Sequence, residues 1–151
     1  MERLSKAEIG FNGLVSSIET VVKNWHPPDL KTEGAYSDGP SNYLRAVLPE
    51  DARVEREYRH EGTTCDLCVL YNGILSSSQV LFELKRNLRK KSDYDRLVGQ
   101  VEGLKPKRNN IFVVMVGDTD PALFGRLKEQ FKDHAERVLL SEVKFKIVLV
   151  A

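Results

Sequence analysis

Cysteine is scarce. Only Cys65 and Cys68 occur among 151 residues, too few for a disulfide scaffold. Long apolar runs are missing as well. Nothing approaches the roughly 20 residues needed to cross a bilayer, so no membrane partner is expected. The first residues, MERLSKAEIGFNG, contain no uninterrupted apolar stretch of the kind a secretory signal needs. Together these absences predict a cytoplasmic protein. An excess of charge of one sign is also lacking, because the formal net charge is only +1. By itself that value says nothing about nucleic acid, although non-specific DNA binders often carry a stronger basic excess. No internal repeat and no low-complexity tract is present.

What is present is ordinary globular composition, 41% hydrophobic and 30% charged. That is enough for one modest core, and the length suits a single domain over residues 1–151. The charge is unevenly placed. Lys85-Arg86-Asn87-Leu88-Arg89-Lys90-Lys91 is a dense basic run, and Lys105-Pro106-Lys107-Arg108 is a second. Taken alone, such runs read as solvated loop residues.

The pattern along the chain predicts a helix over Ser5–Val22. Ser5 and Glu8 form its capping box, and Ile9, Leu14, Ile18 and Val21 recur at helical spacing. Pro27-Pro28 forbids its continuation. Asp29–Ser41, with Gly34, Gly39 and Pro40, reads as a loop. Asn42–Leu48 reads as a short helix or turn. Val54 and Tyr58 among charges suggest an exposed strand. Thr63–Tyr71 is a clearer strand ending at the hairpin signal Asn72-Gly73, with Gln79–Lys85 as its partner. Ser92 is the expected N-cap of a helix running to Leu104. Gly99 and Gly103 on that helix suit a close approach to the sheet. Ile111–Val116 is a continuous apolar run, which suits a strand buried on both faces. Asp120-Pro121 starts another helix, and Phe145–Val150 forms a last strand. Strand, helix, strand, helix, strand in the second half implies right-handed crossovers and parallel pairing.

The chemically informative segments are Thr64-Cys65-Asp66-Leu67 and Phe82-Glu83-Leu84-Lys85. Period-two geometry puts Glu83 and Lys85 on one strand face. It puts Asp66 with Cys68 on one face of the preceding strand, and Cys65 with Leu67 and Val69 on the other. If the two strands form a hairpin, two carboxylates and an ammonium converge. Paired carboxylates suit Mg²⁺ or Mn²⁺. A divalent ion can acidify a water and neutralise phosphodiester charge, and a nearby lysine can orient that water or take its proton.

These segments resemble the PD-(D/E)XK nuclease superfamily, which includes restriction endonucleases, Holliday-junction resolvases and RecB-like nucleases. The resemblance rests on Asp66, on Glu83-Leu84-Lys85 as the E-x-K element, and on the order of strands and helices. It implies an α/β, restriction-endonuclease-like three-layer core with a mixed central sheet flanked by helices. The order is α-β-β-β-α-β over roughly Ser5–Met115, with a C-terminal α-β added. It further implies metal-dependent hydrolysis of DNA phosphodiesters with Asp66, Glu83, Lys85 and Gln100 as catalytic candidates. Asp66, Glu83, Leu84 and Glu19 are the candidates around the metal, and Arg86, Arg89, Lys90 and Lys91 those for the phosphate backbone. Two departures stand out. Cys65 occupies the place of the proline in the motif name, and Leu104 stands where RecB-like members carry tyrosine after Gln100.

Plainer readings compete for each residue. Asp66 can be an ion-pair partner of Lys85 or Arg59, and Glu83 with Lys85 a surface salt bridge. Gln100 can be a helix-surface amide and Glu19 an exposed helix residue. The Cys65-x-x-Cys68 spacing lacks the further ligands of a structural zinc, so two packed core thiols are expected. Tyr94 is a candidate for base stacking, and Trp25 a packing residue. Asp118 and Asp120 are explained by turn formation and helix capping. The alternative for the whole chain is a catalytically inactive nucleic-acid-binding or protein-interaction module of the same fold. Either reading allows a homodimer, or a partner protein that supplies specificity.

Overall fold

A computed structural model of the chain describes residues 3–25, 33–73, 77–135 and 143–150. Five strands form one mixed sheet in the order β1-β2-β3-β4-β5: β1 Arg53–His60, β2 Thr63–Asn72, β3 Ser77–Arg86, β4 Asn110–Val116 and β5 Phe145–Val150. The first three are antiparallel neighbours, while β3, β4 and β5 run parallel. The expected parallel pairing of the second half is therefore present. No helix among the described residues is long and apolar enough to cross a membrane.

Alternation along the strands builds two apolar layers. Leu67, Val69, Val80, Phe82, Phe112, Val114 and Val148 point to one face. There they are covered by α1 (Lys6–Asn12), α2 (Leu14–Lys23) and α3 (Glu33–Val47). Leu81, Ile111, Val113, Met115 and Phe145 point to the other, against α4 (Lys91–Gly103) and α5 (Pro121–Gln130). A four-residue α6 (Lys132–Ala135) follows α5. The molecule is thus α/β, with helices on both faces of a five-stranded mixed sheet.

Three expectations for the helices need correction. The single helix over Ser5–Val22 is two, α1 and α2, broken at Gly13, whose φ of +86° ends one helix and begins the next. Ser5 does cap α1 by accepting from Glu8 N–H. The segment Asp29–Ser41 is not all loop. From Glu33 it is the first half of α3, with Pro40 inside the helix, while residues 29–32 lie outside the described residues. Burial of Leu44, Val47 and Leu48 outweighs the weak propensity of the glycines and proline, since packing supplies most of a helix's stability. Finally, Ser92 is not the N-cap of α4. Lys90 holds that position, without a side-chain hydrogen bond.

The earlier start of α4 follows from how its entry loop is pinned. Leu88 is fully buried, and its carbonyl accepts from Asp120 N–H at 2.7 Å. Asn87, at φ +49°, donates its N–H to Val116 O and accepts from Asp118 N–H at 2.7 Å through Oδ1. The loops leaving β3 and β4 are therefore tied side by side. Asp120 caps α5 by accepting from Ala122 and Leu123 N–H, and Asp118 pairs with Arg89 at 3.0 Å, so structural roles account for both aspartates.

Candidate functional site

The site lies where the sheet changes direction. The β2–β3 ladder ends at Leu67↔Phe82. The β1–β2 ladder skips the Glu57/Asp66 step between Arg56↔Leu67 and Tyr58↔Cys65. Glu57 sits there at φ +48°, a conformation that costs a non-glycine residue free energy. Beyond this step the β1–β2 hairpin bends away from β3 and folds over the α4 face. Tyr58 Oη lies 3.4 Å from Gln79 Oε1, and His60 Nδ1 lies 3.4 Å from Gln79 Nε2. The hairpin tip is tied by Glu61 to Arg108 at 2.9 Å and to Lys105 at 3.5 Å. A Cβ at Gly103 would stand 2.9 Å from Thr63 Oγ1, so the helix approaches the hairpin as closely as a glycine allows. At Gly99 the same test finds open space, so only one of the two glycines serves that approach.

The bend corrects the predicted faces of β2. Cys65 packs with Cys68, Leu81 and Tyr58 on the α4 side, not with Leu67 and Val69. Strict period-two alternation fails there because the strand turns at Asp66. Both thiols are free and fully buried, as expected for core cysteines. Burial pushes Cys65 up to about 11 and Cys68 to about 12.

Asp66 is half-buried at the step itself. Its Oδ2 accepts from Leu84 N–H at 2.7 Å, so a side chain takes over where the main-chain ladder stops. Extending the register by one step sets Asp66 opposite Glu83. Glu83 is 2% exposed, and its Oε1 is buried without a hydrogen-bond partner. Burial raises its pKa to about 8, assisted by the negative charge of Asp66 and by the hydrogen bond between the two side chains. A desolvated carboxyl facing a second carboxylate favours its protonated form, because the two cannot both ionise cheaply. Lys85 follows on the same face of β3 as Glu83, half-buried, with no ion pair to the described residues. A surface salt bridge between Glu83 and Lys85 is thus not what the structure contains.

The other candidates are placed elsewhere. Glu19 lies on α2, across the sheet from Glu83, where it pairs with Lys23 at 3.3 Å and Lys146 at 3.6 Å. Gln100 is exposed on α4, beside the buried stripe of Tyr94, Leu97 and Val101, and makes no described hydrogen bond to either carboxylate. Of the basic run, Arg86 is half-buried and Arg89, Lys90 and Lys91 are exposed. Lys91 pairs with Asp95 at 3.1 Å. Tyr94 is not available for stacking on a base. It is 5% exposed, and the Arg126 guanidinium lies 4.9 Å above its ring. Trp25 is buried against Tyr43, as a packing residue should be.

Among the described residues, no group of three or more His, Cys, Asp and Glu side chains is arranged to hold a metal ion. The protein ligands on offer are two carboxylates. Mg²⁺ commonly takes only one or two carboxylates, with waters and substrate phosphate oxygens completing its shell, so the pair fits that ion. The orphaned Glu83 Oε1 supplies the free acceptor.

No protein-family model matches the chain, and neither a curated protein nor a solved structure is similar to it.

Proposed function

We propose that this chain is a restriction-endonuclease-like nuclease that hydrolyses DNA phosphodiesters with Mg²⁺ or Mn²⁺ held by Asp66 and Glu83. One observation carries the reading: two carboxyl groups meet in a desolvated place, and one oxygen has no partner. Without a cation the arrangement must retain a proton, and a divalent ion is the natural replacement for that proton. The order of elements supports it too, with a helical layer, three antiparallel strands, a crossover helix and a parallel strand.

When bound, the cation would acidify a water and neutralise charge on a phosphate oxygen. The chain's own residues set the geometry. Leu84 N–H fixes Asp66 through one oxygen. Glu83, rigid in a buried strand, offers Oε1. Lys85, one step along the same face, is placed to orient the attacking water or to receive its proton. Arg89, Lys90 and Lys91 lie just beyond, where the chain leaves β3 for α4, and can track a phosphate backbone. Their partial neutralisation by Asp118 and Asp95 makes that contribution a weak one.

The test is incubation of labelled single-stranded, duplex and branched DNA, and of RNA, with the protein in Mg²⁺ or Mn²⁺. EDTA, Lys85→Ala and Glu83→Gln serve as controls. Cation-dependent cleavage of DNA, lost in both variants while their circular dichroism is unchanged, is the expected result. The separation of Glu19 from the carboxylate pair and the exposure of Gln100 favour a second reading, a catalytically inactive binding module of the same fold. That reading predicts no cleavage of any substrate, with salt-sensitive nucleic-acid binding that weakens when Arg89, Lys90 and Lys91 are changed to alanine.

A further inference from the structure

The two edges of the sheet are built differently. β1, Arg53-Val54-Glu55-Arg56-Glu57-Tyr58-Arg59-His60, carries five charged residues before His60 and is broken at Glu57. Charge and local distortion are the usual means of preventing an edge from pairing. β5, Phe145-Lys146-Ile147-Val148-Leu149-Val150, is regular over its whole length beside β4. It contains one charge, and that lysine is engaged by Glu19. Leu149 is the one large hydrophobic side chain in the described structure that is exposed, at 51%. Next to it Ile147 is half-buried, bordering a groove of about 490 Å³ between β5 and α5.

Hydrogen-bond alternation says which groups of β5 are spare. Ile111 N–H donates to Lys144 O. In a parallel ladder a residue bonds to one neighbour and the next residue to the other side. Lys146, Val148 and Val150 therefore bond to β4. Phe145, Ile147 and Leu149 direct their N–H and C=O groups to the outer edge, and no described segment pairs with them. The same three residues share the α4–α5 face, where Phe145 is buried and Ile147 and Leu149 combine spare hydrogen-bonding groups with incompletely covered apolar side chains.

We propose that this edge is a homodimer interface, in which β5 of a second copy pairs antiparallel with β5 across a two-fold axis. The strand is self-complementary in the required way. Pairing centred on Val148 sets Ile147 opposite Leu149 of the other copy, twice, and both residues present their spare main-chain groups. Directly opposed residues also share a sheet face, so the exposed Leu149 and half-buried Ile147 side chains of the two copies cluster on one side. A shift by one residue would face spare groups with groups already used by β4, so single-residue slips are excluded. Charge is complementary along the same axis. Lys144 precedes β5, whereas Asp118, which pairs with Arg89 but keeps its side chain 77% exposed, follows β4 beside β5's far end. Antiparallel pairing brings the lysine end of one copy to the aspartate end of the other. The product is a continuous ten-stranded sheet with closed symmetry.

Sedimentation velocity across roughly 1 to 100 µM protein tests this, comparing wild type with Leu149→Pro and Leu149→Lys. The proline removes an outward N–H that β4 does not use, a position an edge strand tolerates. The lysine keeps the N–H and replaces the apolar contact, so it reads the interface even if the proline variant fails to fold. The expected result is a wild-type mass rising with concentration from 17.2 kDa to twice that value. Each folded variant should have its dimer Kd raised at least tenfold. A wild type that stays monomeric throughout, or a dimer with the same Kd in both variants, overturns the proposal.

Discussion

Replacing Glu83 by glutamine tests the physical basis of the site without any assumption about substrate. The substitution keeps the shape and removes the charge. In the folded protein Glu83 titrates near 8, against an ordinary 4.5, because it is buried and faces Asp66. That difference corresponds to about 5 kcal/mol favouring the protonated form at most, at about 1.4 kcal/mol per pH unit. The sign follows from linkage. Below about pH 4.5 Glu83 is protonated in both states and the group costs nothing. As pH rises from 4.5 to 8 the unfolded chain releases a proton that the folded chain retains, so wild-type stability falls across that window and levels off above it. Glu83→Gln has no such proton. The variant should therefore match wild type near pH 4.5 and exceed it by several kcal/mol at pH 8, as read from urea unfolding at intermediate pH values. Groups titrating elsewhere, such as Asp51 beside Lys6, are common to both proteins and cancel in the difference. A difference that stays flat within about 0.5 kcal/mol from pH 4.5 to 8, judged against the error of linear extrapolation, would refute the reasoning. Mn²⁺ adds a second reading at pH 8. At a hundredfold excess over its Kd it should stabilise wild type by about 2.7 kcal/mol and leave Glu83→Gln unmoved.

Two further substitutions probe the frame around the site. Gly117 has φ +80°, and a Cβ there would collide with Asn87 Oδ1, the acceptor that ties the loops after β3 and β4. Gly117→Ala should cost about 1–3 kcal/mol in thermal or urea unfolding, and an unchanged midpoint would show that this tie does not need the glycine. Glu61→Ala removes the ion pairs to Arg108 and Lys105 that hold the hairpin tip over the α4 face. These groups are exposed, so global stability should drop by no more than about 1 kcal/mol. The tip should nonetheless open more often, and labelling of the buried thiols by a disulfide reagent, very slow in wild type, should accelerate. Equal labelling rates in the two proteins would show that the hairpin is held by its packing alone.

Much of this arrangement is legible in the sequence, and the exceptions share a cause. Elements dominated by local pattern can be read directly: the apolar run of β4, the Ser5 and Asp120 caps, and the alternation that sends Glu83 and Lys85 to one face. The failures occur where a non-local contact overrides the local signal. Pro40 and the glycines before it read as loop, yet Leu44, Val47 and Leu48 pull that stretch into a helix by burial. Ser92 looks like a cap, but the buried Leu88 and its bond to Asp120 start the helix earlier.

The bend at Glu57 and Asp66 is the most consequential of these hidden features. Glu57 is not a residue type that favours positive φ, so nothing local announces the bend. A carboxylate amid apolar β2 residues is the one hint. Asp66 is tolerated there because the ladder opens beside it and Leu84 N–H needs an acceptor. Glu83, one register step along β3 from the end of that ladder, is buried. Strand geometry alone places two carboxylates side by side. Burial beside the Asp66 charge raises the Glu83 pKa, and under the proposed function the proton so retained is what a divalent cation would displace.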